Sequence, residues 1–118
     1  MLTALSSIAA EQANPTARTM EKCKQFLDYA TTQDEEVITY RASDMKLAIH
    51  SDASYSYLGE PKAWSRAGGH YFCSKDVTDP ADNGAVLTVA TIIKQVMSSA
   101  AEAELSGLFI NAKKAVPI

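Results

Sequence analysis

A chain of 118 residues, 47% hydrophobic and 21% charged, is large enough for one compact globular domain and too ordinary in make-up for a fibrous or disordered protein. Its formal net charge of −3 excludes a binder that depends on a basic field over its whole surface, though a local basic groove fits the second half, where Lys62, Arg66, Lys75, Lys94, Lys113 and Lys114 lie. No stretch approaches the ~18 apolar residues of a membrane span and no basic leader opens the chain, so a soluble, intracellular protein without a membrane partner is expected.

Residues 2–12 predict a short helix with Leu2, Leu5, Ile8 and Ala9 on one side, broken by Asn14-Pro15-Thr16. A second helix is predicted over residues 16–31, with Met20, Cys23, Leu27 and Ala30 as its packing stripe; together they form a helical hairpin. Cys23 and Cys73 share no metal-ligand spacing and read as reduced, partly buried thiols. Residues 33–36 form a polar turn, and Val37-Ile38-Thr39-Tyr40 reads as a short strand.

The run from Lys46 to Tyr55 reads as a mostly buried strand that delivers Asp52 at its tip. A carboxylate in such a place calls for a cationic partner. Residues 56–67 read as a loop, and Gly68-Gly69 opens a strand through Ser74. The segment 76–84, with Pro80 and Asn83-Gly84, reads as a turn, and a long strand follows over residues 85–96. Ser99 and Glu102 have the spacing of a capping box, from which a helix runs to Val116-Pro117, with Leu105, Leu108, Phe109 and Ala112 as its packing face. The expected fold class is α+β (α/β): a helical segment over residues 1–36, then three mainly antiparallel strands with a helix packed on the sheet over residues 37–118.

Glu104 falls within or beside that packing face, so the helix would carry it toward the end of the Asp52 strand. Two facing carboxylates repel unless one is protonated or both bind a cation, and oxygen-only ligation favours magnesium or manganese. On the pattern alone, unrelated surface acids are the simpler reading. His50 and His70 read as packed strand histidines, and Trp64 as either a base-stacking side chain or a cover for the core edge.

The segments His50-Ser51-Asp52-Ala53-Ser54-Tyr55, Arg66-Ala67-Gly68-Gly69-His70-Tyr71-Phe72 and Ser98-Ser99-Ala100-Ala101-Glu102-Ala103-Glu104-Leu105 occur in this order, with Lys94-Gln95 before the last, and together they resemble the ribonuclease H region of copia-type retrotransposon polyproteins. Residues 9–29 resemble the end of the reverse transcriptase that precedes it. The resemblance implies a partial ribonuclease H-like fold and hydrolysis of RNA in RNA–DNA hybrids by two Mg2+ (or Mn2+) ions, with Asp52 and Glu104 as catalytic metal ligands. It implies a hybrid held through its backbone, for which Lys62, Arg66 and Lys94 are the candidates. The family continues past this point into a strand with a further ligand Asp, which Asp44, Asp76, Asp79 and Asp82 do not match. The expectation is therefore an incomplete site with impaired or no activity, or a non-catalytic remnant kept as a nucleic-acid- or protein-binding module. An uncovered sheet edge would favour self-association.

Overall fold

The computed structural model describes residues 1–33, 35–56 and 64–118. It divides into two compact units, Met1–Val37 and Ile38–Ile118. The polar turn at 33–36 falls partly outside the described residues, at Asp34, and Lys62 lies outside them altogether.

The first unit is the helical hairpin, α1 (Leu2–Ala10) and α2 (Ala17–Thr31). Thr16 starts α2 through a reciprocal cap: its hydroxyl accepts from the Thr19 N–H at 3.3 Å, and its own N–H donates to Thr19 Oγ1 at 3.0 Å. Thr19 Oγ1 also donates to Glu11 Oε2 at 2.6 Å, and Lys22 Nζ pairs with Glu11 Oε1. These two partners, Lys22 first, hold the Glu11 carboxyl below the usual carboxylate range. The predicted stripe is corrected here. Met20 and Leu27 are exposed, and the inward face of α2 runs through Thr19, Lys22, Cys23, Phe26 and Ala30. Cys23 and Cys73 are both free, partly buried thiols.

The second unit is an antiparallel sheet of β1 (Lys46–Ser54), β2 (Arg66–Ser74) and β3 (Ala85–Ile92) in that order, followed by α3 (Ala100–Ala115) packed on β1 and β2. The α+β class and the helix-on-sheet arrangement agree with expectation; several details do not. β1 is an outer strand with no buried residue; its side chains are exposed or half-buried, alternating only from Ile49 onward. The buried strand is β2, paired on both sides, and it begins at Arg66, inside the predicted loop. Its Arg-Ala-Gly-Gly opening has poor strand propensity, which the two flanking ladders override. β3 ends at Ile92, four residues short of the predicted end. Val37–Tyr40 forms no regular strand; it is held by Gly84 N–H donating to Thr39 O (3.1 Å) and the Tyr40 hydroxyl donating to Ala85 O (3.0 Å).

The expected packing face of α3 is also corrected. Leu105 and Phe109 are each 67% exposed, and the residues buried against the sheet are Ala103, Gly107 and Asn111, four apart on one stripe. Small side chains let the helix lie close. A Cβ on Gly107 would sit 3.1 Å from Ala53 Cβ and 3.4 Å from the Asp52 carbonyl oxygen. Tyr71, Phe72, Ile93, Ala67 and Val89 complete the core.

Candidate functional site

Alternation along the strands decides which side chains share a face. Ser51 Oγ accepts from Asn111 Nδ2 at 2.8 Å and Ala53 lies under Gly107, so the odd-numbered residues of β1 face α3. Asp52 therefore belongs to the opposite face, with His50, and it is exposed. The cationic partner expected from a buried carboxylate is not required at an exposed one.

Glu104 is also exposed. Ser106, Phe109, Ile110 and Lys113 line a groove with Leu87 of β3, so that flank of α3 lies over β3. At about 100° per residue, Glu104 and Leu108 fall on the other flank, over β1. Asn111 lies at Ser51 and Gly107 at Asp52–Ala53, so the helix runs antiparallel to β1 and its first turn lies toward the end where β1 finishes.

That end is defined by the register Ser54–Arg66 and Arg66–Ile92. Arg66 opens β2 there, half-buried, on the same face as Asp52, whose own ladder partner is Gly68. Lys94 is exposed two residues beyond the end of β3. Asp52, Glu104, Arg66 and Lys94, remote in the chain, thus lie toward one end of the sheet, but Asp52 and Arg66 are on the face turned away from α3 and Glu104 is on the helix side, so the two acids are not brought onto one face. Asp44 and Asp76 lie at the other end, where Asp76 accepts from Lys46 Nζ at 2.6 Å and its N–H donates to Asp44 Oδ2 at 2.9 Å.

Among the described residues no group of three or more His, Cys, Asp or Glu side chains stands as a metal ligand set. A hard divalent ion takes about six oxygens, and a pair of ions takes more. Asp52 and Glu104 alone are too few for two ions, so the expected two-ion centre does not fit these donors.

Two polar centres escaped the sequence reading. Asn111, 1% exposed, donates to Ser51 Oγ and Gly68 O at 2.8 Å each, while the Tyr71 hydroxyl, raised in pKa by burial, lies 2.9 Å from both Asn111 O and Oδ1. Asn83 donates to Arg41 O and Cys73 O and accepts from the Arg41 N–H at 2.7 Å. The four-residue spacing of Ala103, Gly107 and Asn111 is a faint signal for the first, and Asn83-Gly84 marked the second only as a turn. The predicted capping box is half present: Ser99 Oγ accepts from Glu102 N–H at 3.2 Å, whereas the Glu102 carboxylate turns to Ser98 N–H and Oγ, which lower its pKa. His50 is exposed but has its ring against Phe72, and His70 is half-buried against the same ring, each pair with centroids 5.2 Å apart.

The fold and site define an α+β unit with acids and bases grouped at one end of an antiparallel sheet. No protein-family model, curated protein or solved structure matches the chain.

Proposed function

We propose that residues 38–118 are the opening part of a ribonuclease H-type domain from a retrotransposon reverse transcriptase, preceded by helices of the polymerase, and that they bind an RNA–DNA hybrid. The observation that carries this reading is the grouping of Asp52, Glu104, Arg66 and Lys94 at one end of the sheet, in segments that resemble the copia-type family. In this reading Arg66 and Lys94 contact phosphates of the hybrid, while Asp52 and Glu104, on opposite sides of the sheet, do not share a Mg2+ or Mn2+ ion. A complete centre needs donors beyond these two, so hydrolysis by this chain is weak or absent and binding is the property to measure.

Fluorescence anisotropy with a labelled RNA–DNA hybrid tests it. Binding should weaken with salt, and Arg66→Ala or Lys94→Ala should each lower the salt slope by about one. Salt-independent binding, or none at low salt, rejects the proposal. Cleavage in magnesium is read in parallel, and any that occurs should vanish in Asp52→Asn.

The shortage of donors and the exposure of both acids favour a second reading, a binding module without chemistry. It predicts hybrid binding with no cleavage in either protein, whereas Asp52-dependent turnover would exclude it.

A further inference from the structure

α3 is seated on the sheet by its small side chains and turns its large ones outward. At about 100° per residue, Ala101, Leu105, Leu108, Phe109, Ala112 and Val116 fall within an arc of about 100°, opposite the buried stripe of Ala103, Gly107 and Asn111. All six are exposed, and Val116 continues the helical backbone as the capping residue. An amphipathic helix ordinarily hides such a stripe; here it is an apolar ridge left in water. The hybrid-binding proposal uses none of these residues.

The ridge is complementary to itself when turned end for end. Place a two-fold axis between Leu108 and Phe109, perpendicular to the helix. Ala101 of one copy then meets Val116 of the other, Leu105 meets Ala112, and Leu108 meets Phe109. Each small side chain faces a larger one, as interdigitating helices require. A parallel pair would set like on like, leaving gaps at Ala101 and Ala112 and crowding Leu105 and Phe109. Charge selects the same direction. Glu102, in the first turn, and Lys113, in the last, project within about 20° of each other along one flank of the ridge. The two-fold axis brings like flanks together, so Glu102 of each copy runs beside Lys113 of the other, offset by about 3 Å along the helix. Both Ser98 bonds go to Glu102 Oε2, which leaves Oε1 for that lysine. The opposed helix dipoles favour the same arrangement.

We propose that the chain self-associates as an antiparallel two-fold dimer through the outward face of α3. One helix pair is smaller than the about 800 Å² per partner of a standard interface, so the dimer is reversible, with a Kd on the order of 10 µM. The monomer folds without it, because Ala103, Gly107 and Asn111 seat α3 on its own sheet. This contact is separate from the open edge of β1, which it leaves as it is.

The test is sedimentation velocity of the full chain in reducing buffer, which keeps the thiols from linking copies. Between about 1 and 200 µM the chain should pass from monomer to dimer. Leu105→Gln and Phe109→Gln should each raise Kd about tenfold or more, since the two-fold axis counts every change twice, while the circular dichroism of the dilute monomers stays that of the parent. Lys113→Glu and Glu102→Lys should each weaken the dimer about five- to tenfold, and an equimolar mixture of the two should recover it, because both contacts again pair opposite charges. If Glu102→Lys loses its Ser98 contacts and unfolds, Lys113→Glu decides alone: its deficit should shrink in about 1 M salt. A monomer throughout, a dimer indifferent to Leu105→Gln as one joined at the β1 edge would be, or a dimer indifferent to Lys113→Glu overturns the proposal. So does a mixture of folded variants that associates no better than its components.

Discussion

Asn111 is the residue on which the helix–sheet contact turns. Its amide satisfies Ser51 and Gly68 at once, and its oxygen faces the Tyr71 hydroxyl, all away from water. Asn111→Leu would leave the Gly68 carbonyl without this donor and take from the Tyr71 hydroxyl one of its two acceptors, so urea unfolding should show a loss of about 2–4 kcal/mol. Gly69 belongs to the same point: a Cβ there would fall 2.3 Å from Asn111 Oδ1, and Gly69→Ala should cost about 1–3 kcal/mol. Gly107→Ala differs, because the milder 3.1 Å approach to Ala53 is offset by about 0.5–1 kcal/mol of recovered helix propensity, leaving it near neutral. In the first unit, Glu11 is ionised against Lys22 and Thr19 with a lowered pKa. Its contribution is present above the ordinary glutamate pKa, about 4.3, and is lost as pH falls through the lower folded-state value. Circular dichroism between pH 5 and 2 should therefore show less acid sensitivity of the hairpin in Glu11→Gln. None of these partnerships is visible in linear order, since Asn111 and Ser51 are 60 positions apart.

At the scale of elements, hydrophobicity located the structure better than it located the faces. Val, Ile and Thr marked β3, Asn14-Pro15 marked the turn between the helices, and Ser99 marked the start of α3. The long apolar residues of α3 misled because close packing against β1 needs small ones; Ala103 and Gly107 go in, and Leu105, Leu108 and Phe109 stay out. Leu105→Gln should thus change stability by no more than about 0.5 kcal/mol, measured by the same urea titration. The candidate site was legible to the same degree. Motif order placed Asp52 late in β1 and Glu104 early in α3, whereas the outward turn of Asp52 depends on a strand phase that Ser51 and Ala53 set through α3.

For the molecule as a whole, the two units differ in what holds them. The sheet unit has a core in which Tyr71, Phe72 and Ile93 are fully buried, whereas in the hairpin α1 has no buried residue and α2 has Thr19. Local opening follows buried contact density, so amides of β2 should exchange with deuterium slowest and those of α1 fastest.

Asn83 gives the connection between β2 and β3 a chemical clock. An Asn-Gly pair is the sequence most prone to lose its amide, by attack of the glycine nitrogen on the side-chain carbonyl carbon. In the folded chain that amide is clasped between Arg41 and Cys73, which restrains the rotation the attack requires. Ageing should therefore be slow in buffer and fast in urea, as mass spectrometry of the 75–84 peptide can follow. Each molecule that ages returns with a carboxylate where two donated hydrogen bonds had been, and refolds with the connection between β2 and β3 unfastened.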